Sequence, residues 1–152
     1  MKSGNCGWSD VNDNAPSFKE ERVNLQFSES QPRDTRRSLP AALDADVGIN
    51  TTQRYEITAG NINNVFRLSS RRGRDGVLYL DLEINGILDR ETVDHYQLTV
   101  DAFDGGNPPK SGRLLVNVTL LDDNDNQPLF TLSRYHAAVY ENVSVGTIIL
   151  QV

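Results

Sequence analysis

The residues best equipped for chemistry are Asp122-Asp123-Asn124-Asp125-Asn126. Carboxylates and carboxamides in unbroken succession offer only hard oxygen donors, the ligands that Ca²⁺ gathers in numbers of about six to eight. Without a cation, like charges at this density repel one another. Pro128 follows closely, so the stretch reads as an extended linker and neither a helix nor a buried strand. The same Asp-x-Asn-Asp-Asn pattern stands 112 residues upstream at Asp10-Val11-Asn12-Asp13-Asn14, followed by Ala15-Pro16. One copy alone would read as an acidic solvated loop. Two copies a domain length apart, each with a proline behind it, mark a repeat.

A helix–loop–helix calcium loop does not fit these residues. Counted from Asp10, Ala15 stands where that loop demands Gly, Pro16 follows it, and no helical period flanks it. Counted from Asp122, the closing position holds Ser133 in place of Glu.

The elements that must position these oxygens are strands. From Phe18 onward apolar residues alternate with polar ones. Val23, Leu25 and Phe27 form one such series. Ser38 to Leu43 reads as a short strand bent by Pro40, Tyr55 and Ile57 as a third, and Val65 to Leu68 as a short fourth. Leu78, Leu80 and Leu82, then Tyr96, Leu98, Val100 and Ala102, then Leu114 to Leu120 complete the set. Turns rich in Gly, Asn and Pro separate them, and no segment carries a convincing helical period. Seven alternating strands in about 110 residues predict an all-β, antiparallel sandwich.

Bulk properties narrow the function classes. The chain has 152 residues, 38% of them hydrophobic, and a net charge of −6, which leaves no basic footprint for nucleic acid. No apolar run approaches the ~18 residues of a membrane span, and the first residues lack the apolar stretch of a signal peptide. Cys6 is the single cysteine, so no internal disulfide is expected. His95 and His136 stand apart from any Cys, Ser or metal-ligand spacing and read as surface residues. Trp8 lies upstream of the first linker with no strand around it and reads as incidental.

The remaining acidic residues fall into short groups at strand ends. They are Ser28-Glu29-Ser30, Asp44-Ala45-Asp46, Leu88-Asp89-Arg90-Glu91 and Ala102-Phe103-Asp104. In this order, between two Asp-x-Asn-Asp-Asn linkers, they make residues 10–126 resemble a cadherin repeat. The loop Asp104-Gly105-Gly106-Asn107-Pro108-Pro109-Lys110-Ser111-Gly112, with Arg74-Asp75-Gly76 ahead of a Leu-rich strand, looks like the protocadherin, Fat and Dachsous branch. After Gln31-Pro32 the sequence departs from the family's usual Gly-Thr, with Arg33-Asp34-Thr35-Arg36-Arg37 in its place; Asp34 is expected to take the left-handed turn conformation. These arginines and Arg71, Arg72 and Arg74 read as a solvated loop face rather than a binding surface.

The resemblance implies a Greek-key sandwich of cadherin-like, immunoglobulin-like architecture, and calcium held between consecutive repeats. It divides the chain into residues 1–14 (remnant of a preceding repeat plus linker), 15–126 (a complete repeat with its C-terminal linker) and 127–152 (the truncated start of the next). The upper end would supply Asp10, Asn12, Asp13, Asn14, Asp44, Asp46, the Asn50 carbonyl and Asp104. The lower end would supply Glu29, Asp89, Glu91, Asp122, the Asp123 carbonyl and Asp125, while Asn124 and Asn126 belong to an ion of the next junction. Arg90 is a cation and no ligand, and is expected to pair with a neighbouring carboxylate or carbonyl.

The function so implied is calcium-dependent cell–cell adhesion, homophilic or heterophilic, by the parent ectodomain of a single-pass plasma-membrane protein. Its partners would be neighbouring repeats and other cadherin-family ectodomains in cis or trans. An enzyme using Asp44 and Asp46 as a carboxylate pair lacks any nucleophile–base set. Three sequons are present: Asn117 and Asn142 are glycosylation candidates, whereas Asn50 lies beside the expected calcium site.

Overall fold

The computed structural model describes residues 11–123 and, in the tail, Ala138, Glu141, Asn142, Ser144, Val145, Gly146 and Ile148. Among these residues the regular elements are seven strands and two short 3₁₀ turns. The strands are β1 (Arg22–Ser28), β2 (Arg36–Leu39), β3 (Thr52–Ala59), β4 (Phe66–Arg72), β5 (Leu78–Ile84), β6 (His95–Asp104) and β7 (Ser111–Leu121). They form a four-stranded sheet in the order β1-β7-β6-β3 and a three-stranded sheet in the order β2-β5-β4. The all-β sandwich expected from the alternation is the observed fold. One pairing departs from it: β1 runs parallel to β7, and the rest are antiparallel.

Alternation works here because each sheet has one covered face. Leu98 and Val100 of β6 and Leu114, Val116 and Val118 of β7 are fully buried, and they face Leu80, Leu82 and Ile84 of β5. Towards the end where β1 stops and β6 starts, Phe66 lies 5.5 Å from Phe27 and edge-on to Tyr96 at 5.1 Å. Tyr55 ties the layers together. Its hydroxyl donates to the Leu78 carbonyl of the other sheet at 2.7 Å and accepts the Ala42 N–H at 2.9 Å.

Strand bounds depart most from the sequence expectation at β2 and β4. β2 ends at Leu39 because Pro40 has no N–H for the ladder. Leu43, expected in the same strand, pairs with Ser17 of the linker in an isolated bridge. β4 runs on to Arg72, past the Leu68 at which the alternation stops.

Several arginines of the expected solvated face are exposed and also make specific contacts. Glu83 is buried at 2% exposure on the outer face of β5. Arg36 Nε and Arg67 Nε donate to its two oxygens at 2.7 and 2.6 Å, because register places both opposite it. Arg67 Nη2 also reaches Asp34 at 2.7 Å. Asp34 has φ 69°, the left-handed turn expected of it. Arg72 donates to the carbonyls of Gly76 and Thr52, and Arg71 lies over the Tyr79 ring.

The registers decide where the acidic groups go. Thr52 lies opposite Asp104, and Phe103 opposite Ser111, at one end of the four-stranded sheet. Ser28 lies opposite Leu121, and His95 opposite Thr119, at the other. An 11-residue strand such as β7 separates the two ends by roughly 30 Å.

Candidate metal centres at the two ends of the sandwich

The upper end gathers three segments: the linker Val11–Asn14, the turn after β2, and the exit of β6. Asp46, itself buried, holds the linker. Its carboxylate accepts Asn14 N–H at 3.1 Å and Asn14 Nδ2 at 2.7 Å. Asn14 Nδ2 also donates to Asp13 Oδ1 at 2.8 Å. The Asp46 N–H donates to Asp44 Oδ1 at 3.1 Å, so the Asp-x-Asp spacing folds one carboxylate back on the other's backbone. Asn50 is buried at the end of a 3₁₀ turn, Gly48–Asn50, that follows the Asp-x-Asp pair.

Asp104 is 1% exposed. Its Oδ1 accepts two N–H groups, Gly106 at 3.1 Å and Lys110 at 2.8 Å, which orient it. Its Oδ2 is buried with no hydrogen bond, as are Asp44 Oδ2 and both polar atoms of the Asn12 side chain. Buried polar atoms without a partner are rare and costly, and anionic ones more so. All are atoms a hard cation would coordinate, save Asn12 Nδ2, so the donor set fits Ca²⁺. Burial holds the Asp44 carboxyl above its ordinary range, and the nearby Asp46 and Asp104 charges add to the effect. Asp46 is held below its ordinary range, chiefly by the Asn14 carboxamide.

At the lower end Glu29 leaves β1, Asp89-Arg90-Glu91 lies between β5 and β6, and Asp122-Asp123 leaves β7. Glu29, Asp89 and Glu91 each bring a carboxylate oxygen within 4.8 Å of the other two, the one such acidic trio among the described residues. Glu29 Oε2 accepts the Arg90 N–H at 3.0 Å and Oε1 accepts the Asp123 N–H at 3.1 Å. Asp89 accepts the Thr92 hydroxyl at 2.7 Å and the N–H groups of Glu91 and Thr92. The Thr92 bonds hold its carboxyl below the usual range. Arg90 pairs as expected, with Asp122 at 3.1 Å and Glu91 at 3.6 Å.

Asn12, Asp13, Asn14, Asp44, Asp46, Asn50 and Asp104 are thus at the upper end, and Glu29, Asp89, Glu91, Asp122 and Asp123 at the lower. Asp10, Asn124, Asp125 and Asn126 lie outside the described residues, as do Trp8 and His136 and most of the expected start of the next repeat, 127–152. His95 contacts the exposed Asp94, as a surface residue would.

Sequence reasoning passed over two supports. Thr92 orients Asp89, and its signal was present as a hydroxyl three residues past an aspartate. Gly106 packs on Asn12 so closely that a Cβ there would collide with the carboxamide. Its signal was the double glycine after Asp104.

The Cadherin domain model matches residues 23–121. The chain belongs to the cadherin family. It is 54% identical over 143 residues to Protein dachsous of Drosophila melanogaster and 44% identical over 144 residues to Protocadherin-16 of Homo sapiens. These alignments cover 94% and 95% of this chain but 4% of each relative, so the chain spans a small part of the curated proteins it matches. Among solved structures, mouse clustered PcdhgC3 EC1-3 superposes with a TM-score of 0.79 at 40% identity, over 93% of this chain and 44% of that one. Protocadherin Gamma B7 extracellular cadherin domains 1-4 gives 0.77 at 36% identity, over 92% of this chain and 34% of that one. The cadherin domain is an adhesion module and not an enzyme, which removes the Asp44–Asp46 catalytic reading.

Proposed function

We propose that this cadherin repeat is a calcium-dependent spacer and adhesion unit of a long ectodomain. Calcium at the upper end takes oxygens from Asn12, Asn14, Asp44, Asp46, Asp104 and the Asn50 carbonyl, with Asp10 and Asp13 serving the shared part of the junction. Calcium at the lower end takes Glu29, Asp89, Glu91, Asp122, Asp125 and the Asp123 carbonyl. The ions neutralise carboxylates that would otherwise repel and fix one repeat against the next, so that the parent molecule stands as a rod. Its partners are the adjoining repeats and other cadherin-family ectodomains, homophilic or heterophilic, in cis or trans. The segment lies in the extracellular part of a plasma-membrane protein, where calcium is near millimolar and weak sites fill.

The observation that carries this reading is the buried, unpartnered Asp104 Oδ2 beside Asp44 Oδ2 and Asn12. Calorimetric titration with CaCl₂ tests it. The expected result is saturable binding in the 10⁻⁴–10⁻³ M range, with the upper component absent from Asp104→Ala. Unchanged heat in that variant overturns the upper assignment.

A further inference from the structure

We propose that Asn117 carries an N-linked glycan at the centre of the outer face of the four-stranded sheet, and that Asn50, which has an equally good sequon, does not. The two differ in what the fold does to the acceptor and to its hydroxyl partner. Val116 and Val118 are fully buried, so Asn117 and Thr119 point together to the opposite, solvent face of β7. Thr119 is exposed there. Across the face the register partners of Asn117 are Asn24 and Gln97, both exposed and uncharged. Leu115, on the same face two residues away, is 37% exposed, an apolar surface that a first sugar can cover.

Asn50 is 6% exposed and Thr52, the hydroxyl of its sequon, 3%. A sugar on Asn50 has to displace the buried packing of the upper end, where Thr52 lies opposite Asp104. A chain so modified cannot close that end.

The transfer balances without a redox partner. Asn117 Nδ2 forms a bond to the anomeric carbon of an oligosaccharide carried on a lipid pyrophosphate. The bond from that carbon to the pyrophosphate oxygen breaks, the lipid pyrophosphate leaves, and one amide proton is lost to solvent. Nδ2 has two hydrogens, and its 3.0 Å bond to Asn24 Oδ1 uses one.

The test is secretion of the full chain from a eukaryotic host, followed by peptide-N-glycosidase in ¹⁸O water and peptide mapping. A glycosylated asparagine is converted to heavy aspartate. The expected map has heavy aspartate at position 117 and ordinary asparagine at position 50. Thr119→Ala should abolish the label at 117 and Thr119→Ser should retain it. An unlabelled Asn117, or a labelled Asn50, overturns the proposal. If Thr119→Ala fails to fold, the wild-type map still decides.

Discussion

Glu29 Oε1 accepts the backbone N–H of Asp123 at 3.1 Å, across 94 residues of sequence. Its other oxygen accepts the Arg90 N–H at 3.0 Å. One carboxylate at the end of β1 therefore touches both the β5–β6 loop, which supplies the other two members of the lower acidic trio, and the exit of β7. Glu29→Gln keeps the length and one acceptor but removes the charge. We expect the lower calcium component in calorimetry to weaken at least tenfold, about 1.4 kcal/mol. Two undiminished components would count against Glu29 as a ligand.

Gly106 offers a separate handle on the upper end. A Cβ there collides with the Asn12 carboxamide, so Gly106→Ala must displace one expected ligand without altering any carboxylate. In a Glu29→Gln background, where the lower component is weakened and the upper one dominates the titration, calcium affinity should fall about tenfold, roughly 1.4 kcal/mol. The thermal midpoint in chelator should stay near that of the background chain. Equal calcium affinity would show that Asn12 takes no part.

Most of the fold is legible in the sequence because inward positions such as Leu78, Leu80 and Leu82 are aliphatic and their outward neighbours polar. β4 is less legible, since Ser69, Ser70, Arg71 and Arg72 carry no apolar alternation and its extent is set by pairing with β5. The burial of Glu83 is illegible for a related reason. It occupies an outward position, and only the register of three strands brings Arg36 and Arg67 over it. The parallel β1–β7 pairing is likewise a matter of topology, which alternation does not encode. At the ends, ligand types and order read directly from the acidic groups. The hydrogen bonds that aim them, from Thr92, Gly106 and Lys110, required the folded loops.

Tyr55 bridges the two sheets through its hydroxyl and bonds no carboxylate, although Ala42 stands two residues before Asp44. Tyr55→Phe leaves the Ala42 N–H and Leu78 carbonyl without that partner in a buried place. We expect a loss of about 1–3 kcal/mol by denaturant unfolding, the same with calcium and with chelator. A loss confined to the calcium-bound chain would mean that the bridge serves the ends and not the core.

Asp101 supplies the acid response of the core. Arg113 donates to both its oxygens, at 2.8 and 3.1 Å, and the Thr58 hydroxyl adds a third bond at 3.0 Å. The Arg113 bonds hold its carboxyl below the usual 3.8. The folded chain thus binds this proton less tightly than the unfolded chain. The stability contributed is fully present above about pH 4 and is lost as pH falls through the lowered value. Glu83, held low chiefly by Arg67, acts in the same direction. In chelator, Asp101→Asn should start less stable at neutral pH, and its thermal midpoint should converge on that of the wild type as the solution is acidified. A constant gap would exclude this linkage.

Calcium and apolar burial should stabilise different parts of the molecule. Val116 and Val118 sit in the middle of β7, paired on both sides and fully buried. The Asp123 amide, only a few residues further on, rests on a single exposed bond to Glu29. That bond joins two acidic segments, so it is opposed by their mutual repulsion until a cation is bound. Amide hydrogen exchange should show Val116 and Val118 equally protected in calcium and in chelator, while Asp123 exchanges at least tenfold faster in chelator. Equal Asp123 protection in both conditions would mean that the exit of β7 is held by the strand ladder and not by the ion.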